Sequence, residues 1–371
     1  MVHRWRGRGR VLALVALVAA TLVLPSSAQA TPPAKPTLKT WGASSAVKAQ
    51  VIIGTTLFFG GDFTSVISPD GTTSVPRPHL AAVDLTTGAL LPWNPTTNGG
   101  VDAMATDGTT IFLGGAFTKV SGTARTHIAA VDLTGTLLSF KASANGKVEA
   151  LHLVGSTLYV GGDFTALRGA TRFYLGALTT SGTLLPWDPS ANDRVRAITS
   201  VSTGDIVVGG FFTEVGGQGI DHIDGLDPVT GQSNSWSYPS SAEVVALVTG
   251  PDDNVYGAIA GSGGKVRSWT NDGHLRWTVY TDGDVNAVAC SGGQVIAGGH
   301  WIYMNSGATY LPKLAAFDPT TGAPDMTWQP KPNKQIWSFA TDATGTTLTM
   351  GGVFTSVSKT SAKRLAVFQG V

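Results

Sequence analysis

Leu158-Tyr159-Val160-Gly161-Gly162-Asp163-Phe164-Thr165 is a short apolar strand run straight into a glycine pair, an aromatic and a hydroxyl, and it recurs along the chain. Copies stand at 58–64, 112–118, 207–213 and 349–355, with a divergent copy at 296–302 and a degraded one at 256–261. Their period of about 48 residues falls in the range of solenoids and propellers. Each repeat carries four strand signals, clearest in the second at 101–105, 110–113, 127–132 and 136–140. Turns that open on aspartate and close on glycine, as at 84–88, 227–231 and 318–322, separate the last two strands. Glycine there supplies the positive φ a tight turn needs.

Four antiparallel strands per repeat make one propeller blade. An aromatic closes each fourth strand, and these count seven blades: Trp41, Trp93, Phe140, Trp187, Trp236, Trp277 and Trp328. The first precedes the first glycine pair, whereas the last repeat stops after its third strand at 364–368. The expected fold is therefore an all-β, seven-bladed β-propeller of four-stranded antiparallel blades over residues 37–371. Its last blade is closed by an N-terminal strand, which leaves no open seam in the ring. A four-stranded blade is apolar on both faces and must stack on two neighbours, so the shared aromatics and glycines read as framework.

Ahead of the repeats, Arg4, Arg6, Arg8 and Arg10 precede an apolar run at 11–24 and the sequence Ala28-Gln29-Ala30. That is the pattern of a secretory signal peptide, residues 1–30, cleaved after Ala30. The expected location is extracellular. A proline-rich leader, 31–36, follows and cannot join a sheet interior. No stretch has the length of a transmembrane helix. Removing the four arginines turns a formal charge of +1 into −3, which leaves no basic patch for nucleic acid. Charged residues are only 13% of the chain, and its single cysteine, Cys290, allows no intramolecular disulfide. The exported domain must then be held by its core, and a monomer is expected.

The run from Gly60 to Thr64, then Arg77, Leu80, Ala81, Ala82 and Asp84, then Thr87-Gly88 and Trp93-x-Pro95, resembles the secreted bacterial β-propellers of the delta-60 repeat type, within a kelch- and quinoprotein-like superfamily. The resemblance covers nearly all of the chain after the leader and implies the propeller fold but no established activity and no catalytic residue. The stretch from Ala82 to Trp93 is also similar to the tryptophan-docking repeat of quinone-dependent dehydrogenases. It has one extra residue before the tryptophan, and one cysteine cannot supply the adjacent pair those enzymes use, so no quinone or other cofactor is expected.

His79, His127 and His222 occupy one repeat position, where other blades place Tyr174, Lys313 and Arg364. A series mixing cations with an aromatic does not suit zinc, which wants three or four converging ligands, so no metal is expected. Residues 68–72, 251–254 and 270–273 read as turns rather than ligand loops.

Function must lie where the repeats differ. In the innermost strand, Val-x-Ala recurs and x reads Lys48, Asp102, Glu149, Arg196, Val245, Asn286 and Trp337. A polar position between fixed apolar neighbours should face the central channel. The residue after each glycine pair also varies: Asp62, Ala116, Asp163, Phe211, His300 and Val353. Blades one and six have extended loops at 65–76 and 303–312, expected on one rim beside blade seven; blade six replaces Phe-Thr with Trp301-Ile302 and adds Tyr303 and Tyr310, and Trp301 either stacks on a ligand or refills the blade interface.

The ligand-binding candidates are thus Lys48, Asp102, Glu149, Arg196, Asn286, Trp337, Trp301, Tyr303 and Tyr310. They point to a non-enzymatic propeller that binds a saccharide or protein at the channel mouth and the blade six to blade one rim. One alternative is a polysaccharide hydrolase or lyase with Asp102 and Glu149 as acid and base. Others are a channel plugged by ion pairs among Lys48, Asp102, Glu149 and Arg196, and a purely structural surface protein.

Overall fold

The inner strands Val47–Ile53, Val101–Thr106, Lys147–Val154, Val195–Ser200, Val244–Thr249, Val285–Ser291 and Ile336–Thr341 each begin an antiparallel sheet, seven among the described residues. The structure is a computed structural model and describes Met1 and residues 32–370 except 237, 238 and 262. The expected signal peptide and its cleavage point lie outside the described residues. Every element is a strand or a turn, with no helix among the described residues.

Six of the sheets run as three-stranded ladders, and only the fifth, ending at Leu275–Tyr280, has the expected four strands. Elsewhere the fourth segment makes a single bridge, such as Val83 with Leu90, Leu178 with Leu184 and Phe317 with Pro324. In the first, third and sixth sheets Pro92, Pro186 and Pro324 stand at or just after that bridge. Without an N–H, proline cannot extend the ladder. In the first sheet the turn before the bridge is built by its aspartate: Asp84 Oδ1 accepts from the backbone N–H groups of Thr86 and Thr87 and from the Thr87 hydroxyl; in the third, Thr179 takes that place and its hydroxyl oxygen accepts from the Thr183 N–H. Those Thr87 bonds hold the Asp84 carboxyl below its usual range.

Seven apolar clusters hold the sheets together, each shared by neighbours in the chain, with the last shared by the seventh and first sheets. The phenylalanines after the glycine pairs, Phe63, Phe117, Phe164, Phe212 and Phe354, are buried in these interfaces. Closing tryptophans add a directed tie between sheets. The indole N–H of Trp93 donates to the Asp132 carbonyl at 3.1 Å and that of Trp187 to the Asp227 carbonyl at 3.0 Å, each reaching the next sheet.

The glycine pair has a steric cause. A Cβ on Gly60 would lie 2.8 Å from a Val101 methyl of the next sheet, and one on Gly61 would lie 2.0 Å from the Ala46 carbonyl oxygen. One glycine lets adjacent sheets approach, and the other lets the sheet's own inner strand turn inward. The same approach joins the ends of the array, because a Cβ on Gly351 would meet Val47 at 2.7 Å. The threonine after the phenylalanine is explained by an asparagine from the preceding loop. Asn145 Oδ1 accepts from the N–H groups of Thr165 and Ala166, while its Nδ2 donates to the Thr165 hydroxyl.

Inner strands pack side by side in chain order, and Ile336–Thr341 packs on Val47–Ile53. The N-terminal segment lies along the seventh sheet. Thr37 N donates to the Val367 carbonyl at 2.9 Å, Leu38 bridges Val367, and Ala43 N donates to the Lys363 carbonyl at 2.8 Å. Leu38 and Trp41 pack into the cluster shared by the seventh and first sheets. The leader docks as well, since the Pro33 and Ala34 carbonyls accept from Trp328 Nε1 and Ser358 Oγ. Proline bars it from a ladder but leaves its carbonyls free to accept.

Candidate functional site at the channel mouth

Every inner strand is bulged at its variable residue. The register slips between Val47 and Ala49, Val101 and Ala103, Val148 and Ala150, Val195 and Ala197, Val244 and Ala246, Val285 and Ala287, and Ile336 and Ser338. The residue skipped each time is Lys48, Asp102, Glu149, Arg196, Val245, Asn286 or Trp337. A bulge leaves one residue out of the ladder and re-aims its side chain, which frees that position from the packing constraints of its neighbours. All seven line one cavity of about 810 Å³.

Half of that wall is a chain of alternating charges. Lys48 Nζ lies 2.7 Å from Asp62 and 3.2 Å from Asp102; Lys147 Nζ lies 3.3 Å from Asp102 and 3.1 Å from Glu149; Arg196 Nε lies 3.4 Å from Glu149. Burial opposes the charge on Lys48, but hydrogen bonds and attraction from Asp62 and Asp102 outweigh it and hold the ammonium above its ordinary value. The Asp102 and Glu149 side chains are only 11% and 8% exposed, so these pairs are less screened than surface pairs. The other half holds Val245, Asn286 and the half-buried Trp337. Asn286 Nδ2 donates to the Ile336 carbonyl at 3.4 Å.

Lys147, Asp62 and Arg194 also line the cavity and are absent from the sequence-derived candidates. Two positions apart on a strand share a face, so Lys147 beside Glu149 was legible from alternation, whereas Arg194 precedes its strand, Val195–Ser200. Asp62 occupies the variable position after the first glycine pair. Lys147 bears on the acid and base reading of Asp102 and Glu149. Its ammonium sits between the two carboxylates, in the space that a water or a glycosidic oxygen needs in an inverting or retaining site.

Leu247, Val288 and Phe339 line this cavity and also a second one of about 800 Å³ that reaches Asp252, Tyr256 and Cys290. Burial, with the nearby Asp252 charge, pushes the Cys290 thiol up to about 12, so it is a protonated, unreactive group. Burial also lowers His152 to about 4, and its Nε2 pairs with Ser200 Oγ at 2.9 Å. Neither group is poised for chemistry.

The rim differs from expectation. Short hairpins of the kind seen at Tyr303–Met304 and Thr309–Tyr310 occur on every sheet but the fifth, and the first and sixth sheets merely have the longest turns, 68–73 and 305–308. Trp301 is fully buried, with its indole N–H donating to the Leu311 carbonyl at 2.6 Å, and takes the place of the interface phenylalanine of other sheets. It is not available to a ligand. Tyr303 and Tyr310 are exposed and meet edge to face, with ring centroids 5.5 Å apart. The histidine series has a backbone cause: His79, His127, Tyr174, His222, Lys313 and Arg364 all have φ between 63° and 69°. Each donates its N–H to the carbonyl of the buried aromatic, as His127 does to Phe117 at 2.8 Å.

No family model and no curated protein matches the chain. Among solved structures it is similar to the WD40 β-propeller domain of Doa1, at a TM-score of 0.63 and 12% identity over 92% of this chain and 98% of that one. It is also similar to the computationally designed Ika8 protein, at a TM-score of 0.54 and 15% identity over 90% of this chain and 99% of that one. At such identities the likeness speaks for the fold alone: the chain is a β-propeller.

Proposed function

We propose that this protein is an exported, non-enzymatic, seven-bladed propeller of the delta-60 type that binds a saccharide at its channel mouth. The seven sheets are its blades; Thr37 and Leu38, bonded to Val367, complete the seventh, and Gly42–Ala43 pairs onward with Ser65–Ile67 of the first. Export rests on the arginines and apolar run of residues 4–24 and on Ala28-Gln29-Ala30.

The observation that carries the binding reading is the convergence of seven variable, bulged residues on one cavity. Framework positions repeat because packing fixes them, whereas these differ in every blade and present donors, acceptors and one indole together. Aromatic faces suit the C–H faces of sugar rings, and paired charges supply the hydrogen bonds that hydroxyls require.

A glycan array probed with the labelled full chain tests this. Saccharide binding is expected in the wild type, lost in Trp337→Ala and kept in Tyr310→Ala. A wild type that binds no glycan, or binding unchanged by Trp337→Ala, overturns the reading.

A further inference from the structure

Four cations, Lys48, Lys147, Arg194 and Arg196, face three carboxylates, Asp62, Asp102 and Glu149, across the cavity wall. The imbalance is local. Both lysines are each shared between two carboxylates, and all three carboxylates are paired. Arg196 engages Glu149 only through Nε, and Arg194 makes no ion pair among the described residues.

Arg194 is nevertheless held in place. Its guanidinium carbon lies 3.9 Å from the centroid of the Phe211 ring. Stacking of this kind fixes the plane of the group while leaving its N–H edge open, and that edge matches a carboxylate with two parallel hydrogen bonds. Phe211 comes from the variable position after the fourth glycine pair, so the fourth sheet supplies both the arginine and its platform. Arg196, two residues on, offers a second guanidinium whose terminal nitrogens are not used by Glu149.

We infer that the channel mouth selects an acidic saccharide, one bearing a uronic-acid carboxylate, which is received by Arg194 on its Phe211 platform and by Arg196. This rests on the saccharide reading above and adds the charge of the ligand. The sugar carboxylate completes the one part of the charged wall that the protein leaves short of anions, while Trp337 and Asn286 remain for ring and hydroxyl contacts. Lys48 and Lys147 are already occupied, the first between Asp62 and Asp102 and the second between Asp102 and Glu149.

Isothermal titration of the full chain with tri-galacturonate and with neutral galactotriose at low and high salt separates the two claims. The expected result is at least tenfold tighter binding of the acidic trisaccharide at low salt, an advantage that shrinks as salt rises. Arg194→Gln should abolish the advantage while its thermal unfolding midpoint stays that of the wild type, which shows that the variant is folded. Phe211→Leu should weaken only the acidic ligand. Equal binding of the two trisaccharides, or an acid preference that survives Arg194→Gln, overturns the charge inference and leaves the saccharide reading standing. Failure of both trisaccharides to bind while a glutamate-rich peptide does overturns both.

Discussion

Deleting residues 37–43 is expected to lower thermal stability by roughly 10 °C or more, the largest effect of any small change to this chain. The segment places Leu38, Trp41 and Ala43 in the cluster between the seventh and first sheets and donates from Thr37 and Ala43 to the last sheet's strand edge. Burying a large apolar side chain stabilises by about 1.5–3 kcal/mol, so the packing loss alone is on the order of 5 kcal/mol. The deletion also removes the bridge of Leu38 to Val367 on the outer edge of Leu365–Gln369, which pairs with Thr347–Gly352 on its other side. An exposed edge of that kind invites association between copies. Calorimetry of the deleted and intact chains checks this; a melting temperature unchanged within about 2 °C would mean that the seventh sheet stands without its strap.

Trp301→Ala should cost about 3–5 kcal/mol in denaturant unfolding, as large-to-small changes at fully buried aromatics do. The indole fills the interface where other sheets use phenylalanine, and its N–H satisfies the Leu311 carbonyl. Tyr310→Ala, at a residue 53% exposed, should change stability by less than about 1 kcal/mol. The pair of variants therefore separates framework from surface on one hairpin. A Trp301→Ala protein with a wild-type unfolding midpoint and weakened ligand binding would reverse the assignment.

Much of this architecture is written in repeated residues. Glycine pairs, buried phenylalanines and closing aromatics recur because each answers the same steric demand in every sheet, and periodicity exposes such demands directly. Six sheets fall short of the expected four-stranded ladder because turn chemistry predicts that a chain returns but not how far the ladder continues; in the first, third and sixth sheets Pro92, Pro186 and Pro324 stand at or just after the single bridge. Trp301 admits two readings in sequence, a ligand contact or a refilled interface, and its burial decides for the second.

The candidate site was legible in outline, through the variable residue of Val-x-Ala. What sequence could not supply was the bulge that turns each of those residues out of its ladder, because a bulge is a relation between two strands rather than a property of one. Nor could it show that Phe211 lies under Arg194, since the two residues are brought together only by the pairing of Val195–Ser200 with Ile206–Gly210.

Hydrogen–deuterium exchange of the full chain, with and without tri-galacturonate, tests most directly whether function resides at the bulged inner strands. Added protection is expected in Val195–Ser200, Val285–Ser291 and Ile336–Thr341, the strands that carry Arg196, Asn286 and Trp337. Protection confined to Tyr303–Met304 and Thr309–Tyr310, or none at all, would contradict it.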